Sequence, residues 1–258
     1  MEIMEWISAL VLALVQGILE WFPVSSSGHL VLVQSTLDYE SSLFFSVALH
    51  FGTLMAVFVY FGKDIIDIIR DLLSLKFQTD AGRLGVLLLI AAIPTALAGV
   101  ILQRFVEEAL GSLLLLALGF GITSLILFFG AAAPQKLDKL SWKGALLIGC
   151  VQILSLFRGV SRSGSTIVAG LWLGLKEKEA VKFSYLLSIP LIFGANIVLV
   201  GNHTLPTELL WATLVAFGVS LLVMHVSFTY VLNDRKNLRW LGLYVFLVAL
   251  ALGVHLIF

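Results

Sequence analysis

The chain's 258 residues are 60% hydrophobic and 12% charged, with a mean hydropathy of +1.05, which is more apolar side chain than the interior of a soluble domain can hide. Sixteen lysines and arginines balance sixteen aspartates and glutamates; with no basic excess, and no basic-region, zinc-knuckle or RRM pattern, a nucleic-acid partner is excluded. A single cysteine, Cys150, rules out an internal disulfide and a thiolate cluster, and its place in an apolar run predicts a small buried core residue.

The start, "MEIMEW", is acidic and lacks the basic n-region of a cleavable signal peptide. Residues 5–37 follow as two short apolar pieces around "PVSSSGH", each below the roughly 20 residues that cross about 30 Å of hydrocarbon. Long apolar runs come next, near 43–61, 84–102 and 113–133. The broken pattern returns at 144–174 around "GVSRSGS", and three more long runs lie near 183–201, 209–231 and 240–258. Non-helical backbone at membrane depth is tolerated only where protein or a water-filled cavity satisfies its polar groups. The two broken regions therefore predict re-entrant helical hairpins whose tips line a site. The expected fold is an all-α integral membrane protein, one domain over 1–258, with about six transmembrane helices and two re-entrant hairpins.

Thirteen of the sixteen lysines and arginines fall in the loops at 62–83, 134–143, 175–182 and 232–239. Alternating six spans puts all four loops on one face, which the positive-inside rule makes cytoplasmic. Both termini then lie outside, the first hairpin enters from the outer face and the second from the inner. "VQGILEWFPVSSSGH" from Val15 aligns without a gap on "VQILSLFRGVSRSGS" from Val151, at a constant offset of 136, with identities at Val15/Val151, Gln16/Gln152, Val24/Val160, Ser25/Ser161, Ser27/Ser163 and Gly28/Gly164. "FSVALHFG" from Phe45 echoes "FSYLLSIP" from Phe183 more weakly. A repeat whose halves, about 1–133 and 134–258, face opposite ways predicts an inverted-topology fold with its site where the tips meet.

The first tip carries Glu20, Ser25, Ser26, Ser27 and His29; the second carries Ser161, Arg162, Ser163, Ser165 and Thr166. An intramembrane glutamate, histidine and arginine point to function, because burying each costs several kcal/mol. Arg162 offers a planar, permanently charged fork for two phosphoryl oxygens, and the Ser-Gly steps before helix starts aim backbone N–H groups at an anion. A serine hydroxyl, an imidazole and a carboxylate suit displacement at phosphorus. Any single serine here equally suits an N-cap or a close helix contact. Elsewhere, His50 either faces the cavity or bonds a neighbouring carbonyl; His225 and His255 are expected to pack, His203 to lie in an outer loop, and Asn196 to bond between helices. Lys176, Glu177, Lys178, Glu179 and Lys182, and likewise Asp64, Asp67, Arg70 and Asp71, read as solvated charge runs.

On these residues the chain resembles the undecaprenyl-diphosphate phosphatase, or bacitracin-resistance, family over almost its whole length. The most specific blocks are "GILEWFPVSSSGH" and "GVSRSGSTI", similar to the family's E-x-x-P-V-S-S-[ST]-G-H and P-G-x-S-R-S-G-[AS]-T-I. The resemblance implies hydrolysis of a polyprenyl diphosphate to the monophosphate, recycling the lipid carrier of envelope glycan synthesis, in a plasma-membrane protein whose cavity opens outward and which is usually dimeric. It implies Ser26 as nucleophile, His29 as general acid/base, and Glu20 as the acid that fixes the imidazole tautomer or a cation. Arg162 becomes the phosphate clamp, with Ser25, Ser27, Ser161, Ser163 and Thr166 in support. Two positions depart from the family pattern: Gln16 replaces its first acid and Arg158 its proline, making the site two charges more positive. A divalent cation, Mg2+ or Ca2+, suits that first acid, and with Gln16 in its place the site holds such an ion more weakly. The alternative function is a polyprenyl-phosphate transporter or flippase that binds without hydrolysis, since inverted repeats with midplane sites are also a transporter architecture.

Overall fold

A computed structural model describes residues 2–39, 42–109, 111–134, 139–200 and 207–257. His203 and the rest of loops 135–138 and 201–206 lie outside the described residues, as does the side chain of Asn196. Every regular element among the described residues is a helix, with no strand among them. Serine and threonine set many of the helix starts: Ser42, Thr79, Ser112 and Ser141 each accept a hydrogen bond from the amide three residues on, satisfying a donor that the first turn would leave orphaned.

The long apolar runs fold as α3 (Leu43–Tyr60), α5 (Asp80–Ile101), α7 (Leu113–Ala131), α10 (Glu177–Val200), α11 (Thr207–Val226, continued by a π turn over Ser227–Val231) and α12 (Leu238–Ile257). Four segments are long and apolar enough to cross a bilayer: α5, α7, α11 with its continuation, and α12 with the short turn before it. A fifth candidate is α3 together with α4 (Gly62–Leu73), bent by 82° at Phe61. The broken regions are helix pairs. The first is α1 (Glu2–Leu19) with α2 (Ser26–Thr36); the second is α8 (Trp142–Gln152, extended by a 3-10 turn to Leu156) with α9 (Arg162–Trp172). A short α6 (Gln103–Ala109) links α5 to α7.

Packing interlocks the two parts of the chain. Helix α1 lies on α11 and α8 on α5, while α7 pairs with α12 and α3 with α10. The first hairpin's connection is held from the second part: the Trp21 carbonyl accepts from Tyr185 Oη at 2.6 Å and Ser227 Oγ at 3.2 Å, and the fully buried Trp21 and Tyr185 rings meet edge to face. The second hairpin's connection is held from the first part: Thr123 Oγ donates to the Gly159 carbonyl at 2.7 Å and accepts from the Ser161 amide at 2.9 Å. That contact needs Gly119, where a Cβ would stand 2.3 Å from the Arg158 carbonyl oxygen.

The four cation-rich loops gather at one end. Lys182 pairs with Asp64 at 2.6 Å, Arg83 donates to the Leu140 carbonyl at 2.8 Å, and Arg235 reaches Glu177 at 2.6 Å and the Ala133 carbonyl at 2.7 Å. Several expected solvated charges are thus cross-ties: Asp64, Lys182 and Glu177 hold partners in other loops, and Asp71 is buried, accepting from Thr79 Oγ at 2.7 Å. Only the helix packing decides which charges of a run turn inward. The same reason corrects Cys150, which is exposed. Helix α8 buries the stripe Ala145, Ile148, Gly149 and Gln152, so Leu146, Leu147 and Cys150 face outward. His225 and His255 are also exposed, though His225 still packs on two rings, its Nδ1 3.2 Å from Tyr60 Oη and its edge against Tyr230.

Candidate active site

Helix α1 delivers Gln16 and Glu20 one turn apart on the same buried face, because residues i and i+4 superpose along a helix. The chain then breaks, and Ser25 enters α2 as its N-cap with φ 67° and ψ 84°, a left-handed conformation that costs a non-glycine residue about 1–2 kcal/mol. This turn folds Ser26 back over α1. Ser26 Oγ donates to Glu20 Oε2 at 2.6 Å, and Gln16 Nε2 donates to the same oxygen at 3.1 Å.

From the second tip, Arg162 Nη2 donates to the other oxygen, Glu20 Oε1, at 2.7 Å, and Nη1 donates to the Ser184 carbonyl at 3.2 Å. The ion pair is nearly water-free, with side chains 7% and 16% exposed. Removing one partner from such a pair leaves a buried charge uncompensated, at a cost of about 3–5 kcal/mol. His50 completes the rim. Its Nδ1 donates to the Ser46 carbonyl at 2.8 Å and its Nε2 lies 3.9 Å from Glu20 Oε2, an ion pair once the ring is protonated. Both readings of His50, cavity and carbonyl, hold together.

The second tip's hydroxyls bind backbone. Ser161 Oγ caps the Gly164 amide at 3.0 Å, Ser163 Oγ donates to the Phe22 carbonyl of the first tip at 3.3 Å, and Thr166 Oγ1 donates to the Arg162 carbonyl at 2.9 Å while meeting Ser184 Oγ at 2.7 Å. Ser25 Oγ accepts from the Gly28 amide at 3.4 Å. Ser27 is half-buried. Arg158 lines a cleft on the α6–α7 side of the second tip, with Val106, Ser112, Leu116 and Phe157.

His29 departs from expectation. Its Nδ1 meets the Ser25 carbonyl at 2.8 Å and its Nε2 meets Tyr244 Oη at 2.8 Å, so Glu20 does not set its tautomer. The carboxylate is occupied by Ser26, Gln16 and Arg162, and α2 turns the imidazole toward α12. Tyr244 and Ser184 escaped the sequence reading. Tyr244 lies in an unbroken apolar run that offers no local cue; Ser184 had only the faint Ser46/Ser184 echo.

As a metal cage the donor set does not fit. Glu20 is the one carboxylate at the tips and both its oxygens are engaged; beside it stand the buried, unpartnered Gln16 Oε1 and His50 Nε2, one amide oxygen and one imidazole nitrogen. Among the described residues no three of His, Cys, Asp and Glu gather to hold an ion.

Against this geometry stand the similarities of sequence. The family model described as bacitracin resistance protein BacA matches residues 9–251. A Trichlorobacter lovleyi protein named undecaprenyl-diphosphatase is 38% identical over 266 residues, covering 97% of this chain and 96% of that one. Proteins of the same name from Alcanivorax borkumensis and Korarchaeum cryptofilum are 36% and 35% identical, over 99% and 96% of this chain and 99% and 98% of theirs.

Proposed function

The chain belongs to the bacitracin resistance protein BacA family, and from that premise we propose that it is a membrane phosphatase hydrolysing undecaprenyl diphosphate, or a close polyprenyl analogue, to the monophosphate. The observation that carries this reading is Ser26 Oγ resting 2.6 Å from Glu20 Oε2 while Arg162 holds that carboxylate's other oxygen. A nucleophile, its base and a phosphate clamp are in contact before substrate arrives.

The chemistry follows. The diphosphate's terminal phosphoryl group draws Arg162 off Glu20 into bidentate contact with its oxygens. Freed of its counter-charge, Glu20 becomes a stronger base and takes the Ser26 proton. Ser26 Oγ forms a bond to phosphorus as the bridging P–O bond breaks, leaving polyprenyl monophosphate, whose oxygen is protonated from His29. Water then attacks the phosphoserine, its proton passing to His29 while Glu20 returns the held proton to Ser26 Oγ, and inorganic phosphate is released. Arg162 neutralises the charge spread over the phosphoryl oxygens throughout. Ser25, Ser161, Ser163 and Thr166 keep the two tips in shape, and Ser27 remains the hydroxyl free to meet a phosphoryl oxygen. Arg158 and Gln16 tune the charge around them. No step runs through a resident metal.

The fold in this reading is an inverted repeat with six spans, one domain with halves 1–133 and 134–258, working as a homodimer. The reciprocal packing of α1 on α11 and α8 on α5 supports the inverted repeat, and the meeting of the cation-rich loops at one end supports a cytoplasmic assignment for that end, with the first hairpin's mouth outside. Cysteines at Asp38 and Lys139, in a background lacking Cys150, test the orientation: an impermeant thiol reagent added outside labels the first and not the second.

The deciding experiment measures phosphate release by purified protein from C15 and C55 prenyl diphosphates, with and without chelator. Release that disappears in Ser26→Ala supports the phosphatase; binding without release favours the transporter alternative.

A further inference from the structure

His29 is the one ionisable side chain of the two tips that bonds to none of Glu20, Ser26 and Arg162 among the described residues, yet it is buried to 7% exposure. Its surroundings are built. The Ser25 carbonyl can only accept, so Nδ1 carries the hydrogen and, in the neutral ring, Nε2 holds the lone pair. That nitrogen is the imidazole's only place to gain a proton, and Tyr244 Oη stands 2.8 Å from it. Phe120 meets the ring edge to face at 5.0 Å between centroids, and the Tyr244 ring lies within 10° of parallel at 5.6 Å. Backbone on one side, a phenylalanine edge and a phenol on the others leave the imidazole a single orientation and tautomer.

We infer that Tyr244, contributed by the last helix and 215 residues distant in sequence, is a positioning residue for the reaction: with the tautomer of His29 set by the Ser25 carbonyl, its hydroxyl holds the basic Nε2 for proton delivery. The inference rests on the reading of His29 as the group that protonates the departing monophosphate. Tyr244 is suited to the task because its side chain is 44% exposed, so the hydroxyl can rotate from donor, toward neutral His29, to acceptor, toward the protonated ring, without disturbing a packed neighbour. A carboxylate in that place would hold the cation too firmly to release the proton, and an apolar residue would leave Nε2 buried without a partner. The reactive histidine is thereby tied to a helix of the opposite half of the chain.

Tyr244→Phe keeps the ring contact and removes only the hydroxyl. With a C15 prenyl diphosphate, kcat should fall about tenfold with KM within about twofold. Nitrogen-15 spectra of histidine-labelled protein, with His29 assigned by its loss in His29→Ala, should place wild-type His29 in the Nδ1–H tautomer and move its Nε2 resonance in Tyr244→Phe. In the His29→Ala background the tyrosine change should have no further effect, since residues acting through one another are not additive. Unchanged His29 resonances, or an equal loss of rate from Tyr244→Phe with and without His29, would overturn the inference. Normal turnover in His29→Ala would instead remove the role assigned to His29, while the resonances, which need no turnover, still report on the tyrosine contact. The wild-type spectrum decides the tautomer even if Tyr244→Phe folds poorly: an Nε2–H ring overturns the inference.

Discussion

The two hairpin tips use one scaffold for different ends. In each, a serine caps a helix by accepting from the amide three residues on, Ser25 from Gly28 and Ser161 from Gly164. In each, the side chain at the fifth position bonds back to the cap carbonyl at 2.8 Å, His29 to Ser25 and Ser165 to Ser161. The residue after the cap differs, Ser26 against Arg162, and so does the backbone. Ser161 caps from the ordinary extended region, φ −76°, whereas Ser25 is left-handed at φ 67°. Hydrogen-bonding roles that build a tip recur at equivalent positions, and the proposed chemistry uses the residues where the copies diverge. The tip with the strained cap is the one whose next residue, Ser26, folds its hydroxyl back onto a carboxylate.

The largest test of that contrast exchanges chemistry for scaffold within one tip. Ser26→Ala should lower kcat roughly a thousandfold or more, since a covalent route is closed, and Ser25→Ala far less; similar losses from both would break the division of roles. Across the tips, Arg162→Lys keeps the charge but not the fork. It should cost on the order of 3 kcal/mol, about a hundredfold in kcat/KM, in a protein that still folds. Near-normal turnover there would take the arginine out of the site.

The glutamines sharpen the comparison further. Gln16 bonds Glu20, while its repeat partner Gln152 donates to Thr95 Oγ1 at 2.8 Å. Gln16→Glu should introduce a dependence on divalent cations, visible as inhibition by chelator, because it supplies a second carboxylate beside the first. Gln152→Glu should leave metal response unchanged and act on stability alone. A chelator effect on neither variant would mean the Glu20 pocket cannot admit an ion at all.

Smaller still is the effect of relieving the turn. Ser25→Gly loses a cap but gains a residue at home with positive φ, so stability should stay within a few tenths of a kcal/mol. Ser161→Ala loses its cap with nothing to relieve, about 1 kcal/mol. Denaturant unfolding in detergent compares them, and equal losses would show that the left-handed serine carries no strain. Smallest of all is the effect at the charged end, away from both tips. Burial raises the Glu177 carboxyl, but the Arg235 hydrogen bond and charge hold it below its ordinary value. With the folded value depressed, this pair's stabilisation is present at neutral pH and disappears as pH falls through the acid range below about 4. Glu177→Gln should flatten that acid loss without altering kcat.

Much of this was legible in the residues. Apolar runs of crossing length located the long helices, and the serine-glycine blocks located both breaks, because helix length and capping are local properties. The repeat paired Ser25 with Ser161 and Ser26 with Arg162 before any contact was visible. What stayed hidden were rotations: whether Cys150 faces its neighbours or the surroundings, whether Asp64 meets water or Lys182, which nitrogen of His29 is covered and by what. Each successive residue turns about 100° around a helix axis, so a small change in how a helix seats on its neighbours decides these contacts.

The sequence by itself determined the membrane class, the two broken hairpins and the identity of the groups at their tips, since composition, apolar run length and capping residues act over a few residues at a time. Only the tertiary structure decided that Glu20 serves Ser26 and Arg162 rather than His29, and that His29 is completed by Tyr244. Those partnerships join residues up to 215 positions apart, and their partners are selected by packing one half of the chain against the other, a choice that no local pattern encodes.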